Sequence, residues 1–166
     1  MSKKIYRKKT NSTVTKSSGN LSSASYLIIV ESPSKCAKIE SYLGLNYCCI
    51  ASKGHIRSVN GLRSIDTKGT FEPKFTELTE KKDHIVFMQQ IISKFSKEKI
   101  ILATDDDREG EAIAWHICEQ FGLPVETTPR IIFHEVTKPA LLASIKSPTI
   151  VNLDLVKAQH ARQVLD

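Results

Sequence analysis

Residues 99–111 read Lys-Ile-Ile-Leu-Ala-Thr-Asp-Asp-Asp-Arg-Glu-Gly-Glu, and the fold is decided there. The run 99–103 reads as a strand covered on both faces. Past Thr104 it switches to five acids and one base between 105 and 111, a local formal charge of −4. A helical pattern over 109–121 follows, and Gly122 ends it. A strand feeding directly into a helix is half of a parallel βαβ unit. The helix dipole favours acids at its N-terminus, but by only about 0.3–1 kcal/mol each. That is too little to hold several carboxylates together. They either face water or are neutralised by a cation. Asp105, Asp107 and Glu109 alternate and can converge on one side. Such an oxygen-rich set suits Mg²⁺, which keeps its waters and engages phosphate. The competing reading is a solvated acidic turn.

Outward from this stretch the same grammar repeats. Residues 26–30, Tyr-Leu-Ile-Ile-Val, form another apolar β-type run, followed at once by Glu31-Ser32-Pro33. Ser32 suits a helix cap and Pro33 its first turn, predicting a helix to about Leu43 that Gly44 stops. Residues 46–52 read as a strand, with Gly54-His55 in the loop beyond. Residues 57–80, with Gly61, Gly69 and Pro73, read as irregular with short strands. Ile85, Met88, Ile91, Ile92 and Phe95 recur at helical spacing within 83–97. Residues 130–133 read as a strand, and Thr137 caps a helix beginning near Pro139.

Alternating strands and helices imply an α/β fold with a Rossmann-like parallel sheet flanked by helices. In such sheets functional groups gather beyond the carboxyl ends of the strands. That rule selects Glu31, Gly54-His55, Asp105–Glu109 and His134-Glu135. Glu31 can bind metal or act as a general acid or base, or be merely a helix N-terminal acid. Lys35 lies in the first turn of a helix, where the dipole disfavours a cation, so a phosphate partner explains it better. His55 is either structural or a ligand contact. Trp115 reads as core packing and His116 as a helix residue.

The formal charge of +6 is unevenly spread. Residues 1–25 carry six bases and no acid, so 18 bases and 18 acids remain beyond them. This segment lacks the large apolar residues needed to offset ordering entropy and is expected to be disordered. It suits an arm that raises non-specific DNA affinity, or a solubilising or localising leader. The cysteines, Cys36, Cys48, Cys49 and Cys118, form no CxxC pair, so zinc-ligand spacing is absent. Cys48 and Cys49, adjacent within a strand reading, are expected as small core or surface residues in a reducing compartment. With no apolar signal core and no long apolar run, the expected location is intracellular: cytoplasmic or nucleoid-associated, with a nuclear one still open.

With these residues in hand, the chain resembles the type IA DNA topoisomerases. The matching stretches are Leu27–Leu43 (LIIVESPSKCAKIESYL), Ser52–Arg57 (SKGHIR), Gly69–Phe75 (GTFEPKF), Leu102–Ile117 (LATDDDREGEAIAWHI), Ile132–Thr137 (IFHEVT) and Ala158–Asp166 (AQHARQVLD). The resemblance implies a TOPRIM fold over 26–147 and the start of a helical, single-strand-binding domain over 148–166. It implies Mg²⁺ held by Glu31, Asp105 and Asp107 beside a scissile DNA phosphate, with Glu109 nearby. It gives Glu31 a part in proton transfer at the leaving oxygen and sets Lys35 near that phosphate. It places His55, Arg108, Arg162, Gln163 and Asp166 against DNA. Gln163 stands where the family often has a second Arg, and His160 where Gln is common.

The family cleaves one strand through a tyrosine of a later domain, forming a 5′-phosphotyrosyl link, then passes a strand and reseals. None of Tyr6, Tyr26, Tyr42 and Tyr47 matches that tyrosine's motif. The chain is therefore expected to be an N-terminal part, supplying the metal and phosphate half of the site to the remaining domains of a parent enzyme. A standalone TOPRIM nuclease or primase-like module shares the Glu and DxD set. A pure binding module with solvated acids is the third reading.

Overall fold

The computed structural model describes residues 24–59 and 75–165. The basic segment 1–23, most of the Gly69–Phe75 motif and Asp166 lie outside these residues. Strand β1 (Tyr26–Val30) is the centre of a three-stranded parallel sheet, between β2 (Tyr47–Ala51) and β5 (Ile100–Ala103). Two short strands, β3 (Arg57–Val59) and β4 (Phe75–Glu77), pair antiparallel beside it. Helices α1 (Cys36–Leu43), α2 (Lys82–Ile92), α3 (Arg108–Phe121), α4 (Lys138–Lys146) and α5 (Leu153–Leu165) complete the described chain. None of them is long and apolar enough to cross a membrane.

The sheet is apolar on both faces because helices cover both. Leu27, Ile29, Ile50 and Leu102 point to a core shared with Met88 and Ile92 of α2 and Ile113 and Ile117 of α3. The alternate residues Ile28, Val30, Cys49, Ala51, Ile101 and Ala103 form a second core with Ile39 of α1 and Leu141 of α4. The register then fixes the functional end. Val30 lies opposite Ala51 on one side and Ala103 on the other. All three strands therefore end in one row, at a strand spacing of about 4.8 Å. Whatever follows them in sequence meets in space.

The helix caps follow local chemistry. Thr137 Oγ1 accepts from the Ala140 N–H, as its position before Lys138-Pro139 predicts. Gly122 takes φ +65° and closes α3. Three expectations change. Ser32 caps no helix; its hydroxyl pairs with Ser34 at 2.9 Å, and the chain enters α1 through a 3₁₀ turn, Pro33–Lys35. The helix expected over 83–97 ends at Ile92, where the Ser93 hydroxyl donates to the Gln90 carbonyl and tighter turns succeed it. The strand expected at 130–133 shrinks to one residue. Arg130 bridges parallel to Leu102 and antiparallel to Thr149, and Phe133 and Val136 then pack against the second core. Pro129 has no N–H to lengthen the ladder.

Candidate active site

Glu31 and Asp105 leave the ends of β1 and β5, and the sheet register makes them neighbours. The Asp105 backbone N–H donates to Glu31 Oε1 at 2.8 Å. Lys35 Nζ donates to Asp105 Oδ1 at 2.9 Å. Lys35 and Asp105 are 32% and 46% exposed, so solvent screens this ion pair and it contributes no more than about 1 kcal/mol. Its value is positional: it shows that Lys35 reaches the acidic loop.

The Glu31 carboxyl is pushed above the usual carboxylate range. Burial is the main cause, opposed by the Asp105 N–H; the charges of Asp105 and Asp107 add to the rise and Lys35 lowers it. Both aspartates are thus near enough for their charge to reach Glu31.

The other acids of the loop divide. Asp107 Oδ1 accepts from the Gly110 N–H at 2.6 Å and caps α3. Asp106 Oδ2 lies 3.7 Å from His134 Nε2. Glu109 Oε1 lies 3.4 Å from His55 Nε2. Arg108 is exposed in the first turn of α3, and Arg162 is exposed on α5. Gln163 lies within α5, its side chain outside the described part, as is Asp166.

The loop carrying His55 is held from two sides. The Gly54 N–H donates to the Glu31 carbonyl. Lys53 and Gly54 both take positive φ, +57° and +82°, a cost that only Gly54 escapes. Two side chains of the neighbouring segment fix this turn. Lys81 Nζ donates to the Lys53 carbonyl, and the His84 ring N–H donates to the Ala51 carbonyl at 2.7 Å.

Beneath the acidic loop lies a network that the sequence did not announce. Arg130 has no solvent exposure. Its guanidinium donates to Glu111 Oε1 at 2.8 Å, to Thr104 Oγ1 at 3.2 Å and to the carbonyls of Thr104 and Asp105 at 3.4 and 2.7 Å. Glu111 Oε2 also accepts from the Asn152 N–H, tying the loop to the start of α5. Gly110 packs so closely on Asp105 that a Cβ there would overlap the Asp105 carbonyl. Arg130, Thr104, Glu111 and Gly110 therefore set where Asp105 sits. The one available signal was an arginine heading an apolar run; the strand reading assigned it no partner.

A second cluster flanks the loop. Trp115 meets His116 and His160 edge-on, at ring-centroid distances of 5.0 and 4.9 Å, and the Arg57 guanidinium lies 5.7 Å from the Trp115 ring. His116 is buried, and burial, aided by the charge of Arg57, pushes its pKa down to about 3. It is a neutral ring at physiological pH.

The donor chemistry fits a hard cation. Three carboxylates from two adjacent strand ends repel one another, and one already resists ionisation. Among the described residues, however, no three His, Cys, Asp or Glu side chains are gathered tightly enough to grip a metal ion as they stand. Lys35 engages Asp105, and the helix N-terminus engages Asp107; Glu31, Asp105 and Asp107 are the residues that would hold such a cation, which would supply neutralising charge.

A parallel sheet with a glutamate after its first strand and a DxD loop after a neighbouring one is the arrangement of a Toprim domain. Residues 26–136 match the model of that family, and the chain belongs to it. It is similar in structure to full-length topoisomerase I from Thermotoga maritima, with a TM-score of 0.73 and 35% identity. The match covers 84% of this chain and 23% of that one, so the chain spans about a quarter of that enzyme's length. The resemblance to type IA topoisomerases therefore extends from motifs to the backbone.

Proposed function

We propose that the chain is the Toprim part of a type IA DNA topoisomerase, relaxing supercoiled DNA by transient single-strand cleavage through a 5′-phosphotyrosyl link. The observation that carries this is the Glu31–Asp105–Lys35 contact at adjacent strand ends, with the Asp107 charge acting on Glu31. Glu31, Asp105 and Asp107 would hold Mg²⁺, which supplies charge neutralisation for a DNA phosphate. Lys35 then turns from Asp105 to the phosphate. Glu31, with its raised pKa, is suited to carry a proton to or from the leaving oxygen. Glu109, beside His55, borders the site, while His55, Arg108, Arg162, Gln163 and Asp166 serve the DNA strand.

The nucleophile comes from elsewhere in this reading. Tyr26 and Tyr47 stack on each other, centroids 5.1 Å apart, at the amino ends of β1 and β2. Glu31 is five residues further along the strand, roughly 16 Å away. Tyr42 lies in the last turn of α1. None of these three can be held in line with a phosphate at the acidic loop.

The test joins calorimetric Mg²⁺ titration, salt-dependent single-stranded DNA binding and a relaxation assay. The expected outcome is Mg²⁺ binding lost in Asp107→Asn, weak salt-sensitive DNA binding, and no relaxation by this chain alone. Relaxation by the purified 166 residues would overturn the division of labour. Mg²⁺-dependent DNA hydrolysis abolished by Asp105→Ala would point to a standalone nuclease. A Mg²⁺ response absent altogether would leave only a solvated acidic patch.

A further inference from the structure

Two cysteines meet on the side of α1 that packs against the sheet, in the same core as Ile39. Cys36 opens α1, and Cys49 lies within β2. Cys36 and Glu40 are one turn apart and share a helix face. Glu40 Oε1 accepts from the Cys49 backbone N–H at 2.9 Å, which pins that face onto Cys49. Cys36 packs against the cluster that contains Cys49. The two thiols influence each other: Cys49 holds the Cys36 thiol below its usual range, and Cys36, together with burial, raises the Cys49 thiol well above its own, while Cys49 Sγ donates to the Ile50 carbonyl at 4.0 Å. Cys36 is partly exposed, whereas Cys49 is 4% exposed. The remaining cysteines, Cys48 and Cys118, are buried, and Cys48 points into the opposite core.

We propose that Cys36 and Cys49 form a peroxide-oxidisable dithiol, a modification site that closes a disulfide between α1 and β2. The chemistry is the usual two-step exchange. The Cys36 thiolate attacks one oxygen of a hydroperoxide, the O–O bond breaks, and hydroxide (or alkoxide) leaves, taking up a proton. Cys36 becomes a sulfenic acid. The Cys49 sulfur, giving up its proton, then attacks the Cys36 sulfur, an S–S bond forms, and the sulfenic oxygen departs as water. The hydroperoxide is reduced by two electrons and the thiol pair oxidised by two. The pairing divides the labour: the more accessible thiol, Cys36, meets the oxidant, and the buried Cys49 resolves the product. Lys35, which reaches Asp105, is the residue immediately before Cys36. The bond therefore closes next to the anchor of the acidic site.

The experiment treats the full chain with hydrogen peroxide and maps its peptides without reduction. The expected result is a cross-linked peptide joining Cys36 to the 48–49 segment, with loss of two alkylatable thiols, reversed by dithiothreitol. It persists in Cys48→Ser and vanishes in Cys49→Ser. In Cys49→Ser, folded by circular dichroism, a sulfenic-acid probe such as dimedone labels Cys36; in the parent it does not. Should Cys49→Ser fail to fold, the parent and Cys48→Ser maps decide alone. A parent chain in which Cys36 ends as a sulfenic or sulfinic acid with Cys49 free overturns the proposal, as does a cross-link through Cys48 or Cys118.

Discussion

Replacing Arg130 with methionine removes every donor that Glu111 Oε1, Thr104 Oγ1 and the Thr104 and Asp105 carbonyls receive from it. Methionine fills much of the volume, so the loss is polar. Glu111 is 5% exposed and would keep only the Asn152 N–H. Breaking a buried ion pair from one side costs about 3–5 kcal/mol, because the surviving charge stays desolvated. Two compensations place this case near the lower end. Thr104 Oγ1 still donates to the Gly110 carbonyl. The Asp105 carbonyl keeps the Asp107 N–H as a donor, at 3.0 Å. Arg130→Met should therefore lose about 3 kcal/mol, read as the change in urea-unfolding free energy by circular dichroism. Glu111→Met should lose a similar amount, because it strands the guanidinium. The double variant should be far less destabilised than the sum, giving a coupling of about 2 kcal/mol or more. Because Arg130 sets the Asp105 backbone, Arg130→Met should also weaken the response to Mg²⁺. A cost below about 1 kcal/mol, or strict additivity, would refute the claim that this network holds the loop.

Four further outcomes are expected. The raised Glu31 pKa means that its stabilising share is complete below its ordinary value of 4.5 and is lost as pH rises through the higher folded value. Glu31→Gln should flatten that limb in pH-dependent urea melts and match or exceed the parent near pH 7; an unchanged profile counts against the burial of the Glu31 carboxyl beside the two aspartates. The depressed His116 works the other way: its contribution is complete above the ordinary 6.5 and is lost as pH falls toward about 3. His116→Gln should accordingly lessen the acid-side loss of stability over that window, and an identical acid transition would contradict its burial as a neutral ring. Gly110→Ala must move the Asp105 carbonyl, so it should cost roughly 1–3 kcal/mol or more and reduce Mg²⁺ binding by calorimetry; full stability with unaltered Mg²⁺ affinity would show that the contact yields freely. Lys35→Ala should alter stability by less than about 1 kcal/mol yet reduce single-stranded DNA affinity, and unchanged affinity in anisotropy titrations would remove Lys35 from the phosphate role.

The sequence by itself determined the class of fold and the general place of the site. The apolar runs at 26–30 and 99–103, and the strand read at 46–52, are signals that survive in isolation, since strands buried on both faces must be apolar throughout. Acids directly after two of those runs are legible because, in a parallel sheet, chain order and position at the carboxyl edge coincide. Boundaries were less legible. The 3₁₀ entry to α1 and the early end of α2 turn on whether Ser32 and Ser93 bond to backbone or to a neighbour, a contest of about 1 kcal/mol.

Only the tertiary structure decided how the acids divide their work. Asp105, Asp106, Asp107 and Glu109 are near-equivalent as letters, but one accepts Lys35, one approaches His134, one caps α3 and one meets His55. The burial of Arg130 against Glu111 and the meeting of Cys36 with Cys49 were equally out of reach. Each joins residues far apart in the chain through packing, and a charge or a thiol becomes consequential only once its neighbours have excluded water.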